Sequence, residues 1–524
     1  MKSSISAFRF SSFFSPIQQV PRILYLFLFI CFFSFFLSFQ SLQGQVRREF
    51  RAVWVATVDN IDWPLKGTTD PGEQREQFIR LADMHQQNGM NALIVQIRPA
   101  ADAFYPSPYE PWSEWLTGKQ GVPPRPYYDP LEFMIEETHK RGMEFHAWLN
   151  PYRAVFSLKK SVMAPTHVTR LHPEWFLDYG DKRYFDPGNK EAQEFVVNVV
   201  KDVVSRYAVD AIHFDDYFYP YTIAGKQFPD GPSYEKHGSG MTLEDWRRSN
   251  VDSIIVKLGS AIRSVKPSCR FGISPFGVWR NQDRDPMGSA TQAGQTNYDD
   301  LYADILLWLR NGWIDYVAPQ LYWEFGHPRA AFETLLDWWS RHTYGKHCYI
   351  GLGIYRAGSN ASWKEATLLP RQIRALREYK DVQGMVFFSS KSFDKNPFGW
   401  NDSLRNELFA DPAIVPSMAW VNEAIPEKPL VRQLTGSSSV RQLQVELMGQ
   451  GDATLIKQFI VYEWSTPEAL RDNHAQPRIR ILPAKQGKAS LTLGAEGDEN
   501  AIYAFSVIDQ ANNESEKVFL NREP

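Results

Sequence analysis

The chain has 524 residues with an ordinary globular share of apolar side chains, enough for one large barrel plus an appendage or for two to three domains. Its 57 basic and 60 acidic residues give a net charge of −3 without a basic cluster, which leaves nothing to hold nucleic acid. Three cysteines exclude a disulfide framework, and no spacing of metal ligands, such as HExxH, is present.

Residues 1–44 carry Lys2, Arg9 and Arg22 and no acid, around an apolar run from Ile23 to Phe39. This reads as an export signal ending near Leu42-Gln43-Gly44, and removing it leaves 54 basic and 60 acidic residues, a net of −6. An uncleaved anchor is the alternative, since about 18 apolar residues span a bilayer and Leu42 is a poor cleavage residue. Membrane contact is expected only in that case. Cys31 follows Phe29 and Ile30, which argues against a lipoprotein site. The expected location is periplasmic, at the cell envelope, or secreted.

Beyond residue 50, short apolar strands alternate with amphipathic helices. The strands are expected at Ala52–Thr57, Ala92–Ile97, Glu144–Leu149, Ala211–Phe214, Arg270–Ser274, Ile314–Pro319, Tyr349–Leu352 and Met385–Phe388. Between them, Phe78, Leu81, Ala82 and His85 mark one helix before Gly89. Asp129-Pro130 opens the next as cap and first-turn proline, and Gly142 closes it. Further helices are expected at Lys190–Tyr207, Leu243–Val265, Asp300–Asn311, Arg329–His342, Pro370–Tyr379 and Ser403–Phe409. Eight such pairs predict an α/β chain whose residues 45–410 form a (β/α)8 TIM barrel. A doubly wound sheet is the alternative, weakened because no glycine-rich loop follows the first strand. The long connections Pro99–Tyr128, Pro151–Gly188, Tyr217–Met241 and Pro275–Tyr298 all follow strand C-terminal ends, where barrel enzymes build their sites.

Prolines 412, 416, 426 and 429 mark a linker over 411–430. Residues 431–524 then read as a small β-sandwich, with strands at Val440–Leu447, Phe459–Glu463, Arg478–Leu482, Ala489–Leu493, Ala501–Asp509 and Lys517–Leu520. Cys269 and Cys348 each open a strand and read as buried free thiols.

The most specific stretch is Ala211–Pro220, AIHFDDYFYP. Side chains alternate along a strand, so Ile212 and Phe214 face helices while His213 and Asp215 face a cavity. Asp215 and Asp216 at the strand end, followed by Tyr217, point to chemistry on sugars. A helix cap or a loop ion pair is the structural alternative. On the second strand Arg98 tops the inner face, with Asp102, Phe104 and Tyr105 beyond it. On the third, His146, Trp148 and Asn150 share a face, followed by Tyr152 and Arg153. On the sixth, Gln320, Tyr322 and Glu324 share a parity, with Trp323 alongside. Singly, an Arg98–Asp102 pair or a satisfied core histidine is as good a reading. Jointly they suit a polysaccharide: aromatic faces for sugar C–H faces, and Arg, Asn, Gln and His for hydroxyls. Glycoside hydrolysis needs two carboxyl groups flanking the scissile bond. Asp215 is assigned as nucleophile or base and Glu324 as general acid, with Asp216 in reserve because its parity points it toward the loop. No cofactor or metal is expected. A non-catalytic carbohydrate-binding barrel and a metal-dependent polysaccharide deacetylase are the rivals.

The segments REFRAVWVATVDNIDWP, IRPAADAFYPS, AWLNPYR, HFDDYFYP and APQLYW follow one another in order. Together, from Glu49 to Ala410, they resemble the glycosyl hydrolase-like 10 family of exported bacterial proteins. The resemblance implies a glycosidase-related barrel acting on peptidoglycan glycan strands that lack stem peptides. The fourth-strand motif is also similar to the chitinase pattern DGxDxDxE, which here falls on Asp210, His213, Asp215 and Tyr217. Tyr217 stands where the catalytic glutamate would, so that mechanism does not carry over. AIYAFSVIDQANNES, near the C-terminus, resembles the late strands of a fibronectin type III-like domain.

Overall fold

The computed structural model describes residues 47–238, 240–434, 443–472, 475–493 and 501–520. The expected export signal at 1–44 and residues 440–442 of one expected strand lie outside them.

Eight parallel strands close into a barrel: β1 Phe50–Val55, β2 Ala92–Arg98, β3 Glu144–Leu149, β4 Ala211–Phe214, β5 Arg270–Ile273, β6 Tyr316–Val317, β7 His347–Leu352 and β8 Gly384–Phe387. Each pairs with its chain neighbour, and β8 returns to β1 through Phe50 opposite Gly384. The outer layer holds α1 Pro71–Gln87, α2 Pro130–Lys140, α3 Lys190–Arg206, α4 Leu243–Val265, α5 Ile305–Arg310, α6 Phe332–Ser340, α7 Leu368–Leu376 and α8 Trp400–Ser403. Local chemistry sets their starts. Asp70, Asp129, Asn189 and Thr242 each accept backbone N–H groups of the first turn, and Pro71 and Pro130 follow their caps.

Strand alternation divides the core as expected. Val53, Leu93, Val95, Phe145, Ile212, Phe214 and Phe271 pack outward against helices. Phe50, Ala52, Trp54, Ile94, Trp148, Ala211, Tyr316 and Tyr349 fill the barrel interior. Tyr316 fits because β5 offers Gly272 beside it; a Cβ there would overlap the phenol ring.

Among the elements whose bounds differ from expectation, two have a clear local cause. The sixth strand is only Tyr316–Val317 rather than Ile314–Pro319, because Pro319 has no N–H to continue the ladder, and pairing resumes at Gln320–Leu321. The fifth helix starts at Ile305, not Asp300. Asp304 caps it at Leu307 N, whereas Asp300 accepts from Thr296, and Tyr302 has a left-handed φ of 54°. Cys269 and Cys348 are buried free thiols.

The proline-rich stretch after the barrel is packed rather than loose. Val415 and Met418 join the interior cluster at the N-terminal ends of the strands, and Trp420 Nε1 donates to Asp315 (3.1 Å). Beyond it run β9 Leu430–Leu434, β10 Leu443–Met448, β11 Ile456–Trp464, β12 Arg478–Pro483, β13 Lys488–Leu493, β14 Ile502–Asp509 and β15 Val518–Phe519. They form antiparallel sheets of order β9-β10-β13 and β12-β11-β14-β15. Val445, Leu447, Phe459, Val461, Leu493, Phe505 and Val507 pack between the two.

Candidate active site

At the C-terminal ends of the barrel strands lies a cavity of about 580 Å3. Its walls come from strand ends (Trp54, Gln96, Trp148, Asp215, Ser274, Gln320, Phe388) and from loops (Asp59, Arg153, Phe156, Tyr217, Tyr221, Phe276, Tyr355, Arg356). Tyr322 and Trp323 complete an aromatic side, with Trp323 against Phe276 (5.6 Å between centroids) and Tyr322 against Tyr355 (5.6 Å).

Asp215 and Asp216 both line this cavity, though only 4% and 2% exposed. Asp215 accepts from Trp148 Nε1 (3.2 Å) and from Asn150 Nδ2 (3.0 and 3.2 Å to its two oxygens). Burial raises its pKa, while Arg153, Asn150 and Trp148 pull the other way by favouring the anion. Asp216 accepts from the Tyr221 hydroxyl. Burial and then the neighbouring Asp215 charge push its pKa up to about 7, against the bonds from Tyr221 and Gln320. Two carboxyl groups therefore share one aromatic pocket with different support: one surrounded by donors, the other facing a like charge.

Several expected site residues serve this pair, Arg153 and Gln320 from the cavity wall and Asn150, His213 and His146 from behind it. Asn150 holds Asp215 and also accepts from Arg153 N (2.8 Å) through Oδ1. Arg153 lines the cavity, donates from Nε to Pro99 O (3.1 Å) and lies over Tyr217 (5.7 Å). Gln320 donates to Ser274 O (3.0 Å) and supports Asp216. His213 lies under the floor, bonded to Trp54 and Ser274, and His146 lies one layer deeper against Glu144.

Others are not brought to the cavity. Glu324, the expected general acid, accepts from Trp363 Nε1 (2.9 Å) and Asn360 Nδ2 (3.2 Å). It is absent from the cavity wall because the chain turns outward past Trp323. Burial raises its pKa, but its hydrogen bonds together with His327 and Arg356 outweigh this and hold it low, the wrong direction for a proton donor. Arg98 pairs with buried Glu110 (2.8 and 3.0 Å from Nε), not Asp102, and its NH1 group donates to Asn150 O. Asp102 is held by Gln120 (3.3 Å) and Ala100 N (3.2 Å). Tyr105 and Tyr152 are buried with hydroxyls lacking a protein partner, away from the cavity. These residues organise the loops behind the site. Arg98→Ala is expected to cost about 3 kcal/mol in chemical denaturation, because it leaves Glu110 charged and buried; a cost under about 1 kcal/mol removes this assignment.

Trp54, Ser274, Phe276, Tyr355, Arg356 and Phe388 escaped the sequence reading. For Trp54 a signal exists: Phe50, Ala52, Trp54 and Ala56 share the inward parity of β1. Tyr355 and Arg356 come from a short turn after β7 that carries no polar motif. Among the described residues no group of three His, Cys, Asp or Glu side chains is arranged to hold a metal.

A family model described as Glycosyl hydrolase-like 10 matches residues 49–367. Glycosyl hydrolase YngK of Bacillus subtilis (strain 168) is 48% identical over 481 residues, covering 90% of this chain and 93% of that one. Glycosyl hydrolase DigH of Escherichia coli (strain K12) is 37% identical over 361 residues, 65% of this chain and 81% of its own length. Among solved structures, the PgaB (BpsB) glycoside hydrolase domain from Bordetella bronchiseptica aligns with 69% of this chain and 98% of that domain, at 14% identity and a TM-score of 0.41.

Proposed function

The chain belongs to the glycosyl hydrolase-like 10 family, and on that premise we propose that it is an exported glycoside hydrolase acting on bacterial cell-wall glycan strands or a similar amino-sugar polysaccharide. The observation that carries this reading is the pair of buried carboxyl groups in one aromatic cavity. When two carboxyl groups share a buried pocket and feel each other's charge, one keeps its proton. Asp216, opposed by Asp215, is the proton holder and donates to the glycosidic oxygen as the bond breaks. Asp215, stabilised as an anion by Asn150, Trp148 and Arg153, attacks the anomeric carbon or takes a proton from water. Asp216 thus takes the role first assigned to Glu324. Trp323, Tyr322, Tyr355 and Phe388 offer ring faces to sugar rings. Export rests on the apolar run before residue 45. The order of the two C-terminal sheets supports a fibronectin type III-like sandwich there.

The test is product analysis. Residues 45–524 are incubated with purified peptidoglycan, with and without stem peptides, and released fragments are identified by mass spectrometry. Short saccharides from the peptide-free glycan are expected. Folded protein that pulls down the glycan but releases nothing supports the binding barrel, the reading favoured by the absence of Glu324 from the cavity. Neither release nor binding removes the cell-wall substrate.

A further inference from the structure

A buried line of side chains follows the barrel axis from the cavity to the C-terminal sheets. At the cavity, Trp54 Nε1 lies 3.1 Å from His213 Nε2. His213 Nδ1 lies 3.0 Å from the Tyr316 hydroxyl, which lies 2.8 Å from His146 Nδ1. His146 Nε2 lies 3.0 Å from Glu144. The direction of every bond follows from chemistry. An indole N–H can only donate, so His213 Nε2 carries the lone pair and Nδ1 the proton. That proton goes to the Tyr316 oxygen, and the Tyr316 proton goes to His146 Nδ1. His146 therefore carries its proton on Nε2 and gives it to the carboxylate. All donors point from the cavity wall to Glu144, through two neutral imidazoles of opposite tautomer.

Glu144 anchors the line by remaining an anion. Its other oxygen accepts from Arg270 (2.9 Å), from Asn512 Nδ2 (3.0 Å) and from Lys457. Lys457 lies on β11, and Asn512 in the turn after β14. The C-terminal sheets and the turn after β14 thus supply two of the four donors to this carboxylate, although they pack at the opposite end of the barrel from the cavity. Each donor removed from a buried network loosens the geometry the others hold.

We propose that Lys457 and Asn512 are positioning residues for the cavity: by holding Glu144 they lock the two histidine tautomers and so the plane of Trp54, a cavity wall. A branch reaches the acid as well. Ser274 Oγ lies 3.1 Å from the same His213 Nε2 and 3.3 Å from Phe214 O, its two acceptors, and Ser274 O accepts from Gln320, which supports Asp216. The C-terminal sheets are then part of the working site, not only an appendage. The consequence for turnover rests on the glycosidase reading; the tautomers and the Trp54 geometry do not.

The test uses nitrogen NMR of the histidine- and tryptophan-labelled protein, with Trp54→Phe assigning the indole signal. The wild type is expected to show His146 protonated on Nε2 and His213 on Nδ1. Tyr316→Phe, which keeps shape but cuts the line, leaves Trp54 and Glu144 holding the two outer nitrogens, and should shift the Trp54 indole resonance and the Nδ1 resonances of His213 and His146. It should also lower kcat on the active glycan about tenfold, the scale of a sub-ångström misplacement. Lys457→Met should reproduce these effects and Lys457→Arg should reverse them. Opposite tautomers in the wild type overturn the proposal. So does a folded Tyr316→Phe whose Trp54 signal matches the wild type. Should Lys457→Met fail to fold, the wild-type tautomers and Tyr316→Phe decide alone. Absence of turnover on every glycan defeats the enzyme reading while the NMR results still judge this one.

Discussion

Asp215→Asn is expected to lower kcat on a released glycan strand by about 10³-fold while leaving folding and glycan binding nearly unchanged. The substitution removes the charge and keeps the shape. Asp215 Oδ2 accepts both Trp148 Nε1 (3.2 Å) and Asn150 Nδ2 (3.0 Å), so an asparagine oxygen in that place preserves both bonds. The longer contact from Asn150 to Oδ1 (3.2 Å) is lost, at a cost of about 1 kcal/mol, together with the attraction of the Arg153 charge. Arg153 remains over Tyr217, so the cavity keeps its wall. Glu324→Gln is the control: bonded to Trp363 and Asn360 outside the cavity, it should change kcat less than about threefold. Kinetics and a glycan pull-down on both variants check the assignment. An active, folded Asp215→Asn protein transfers the role of base to another group; an inactive Glu324→Gln protein restores the original pairing.

The barrel was legible because its signal is periodic. Strand parity alone put His213 and Asp215 inward and Ile212 and Phe214 outward: the latter two pack against helices and Asp215 lines the cavity, while His213, expected to face it too, lies beneath its floor. Asp129-Pro130 announced a helix start because a cap and a first-turn proline act locally. What the sequence could not convey is how the chain turns after a strand ends. Parity carried past Gln320 placed Glu324 with Tyr322, but alternation holds only within a strand, and pairing ends at Leu321. The same argument, applied to Asp216, aimed it at the loop, whereas the turn after Phe214 keeps both aspartates at the cavity. Arg98 met Glu110 rather than Asp102 because a long loop, not spacing, decides which carboxylate returns to it. The contact of Lys457 with Glu144 joins residues 313 positions apart and has no local signature.

The pH dependence of Asp216 is the second large effect. Its pKa near 7 in the folded chain lies well above the ordinary aspartate value near 3.8, with burial the larger cause and Asp215 the next. As proton donor it must be protonated, so kcat is expected to fall about tenfold per unit as pH rises above 7. The stability sign is opposite to that of a salt-bridged aspartate. Below about pH 3.8 folded and unfolded chains both hold the proton, and the group is neutral in the balance. Between 3.8 and 7 the folded chain keeps a proton that the unfolded chain has released, so stability falls as pH rises. Above 7 the full cost of a buried charge is present, on the order of a few kcal/mol. Asp216→Asn should therefore be inactive yet more stable than the wild type at pH 8, with the difference vanishing near pH 4. Tyr221→Phe works in the other direction on the same limb. The phenol donates to the Asp216 anion and lowers its pKa, so removing it should move the alkaline fall of kcat up by about one unit. Denaturation and kcat profiles between pH 4 and 9 test both statements. A flat kcat from pH 5 to 9, or an Asp216→Asn protein less stable than the wild type at pH 8, shows that Asp216 does not hold the proton and returns the search for the acid to the rim of the cavity, where Asp59 stands beside Lys66.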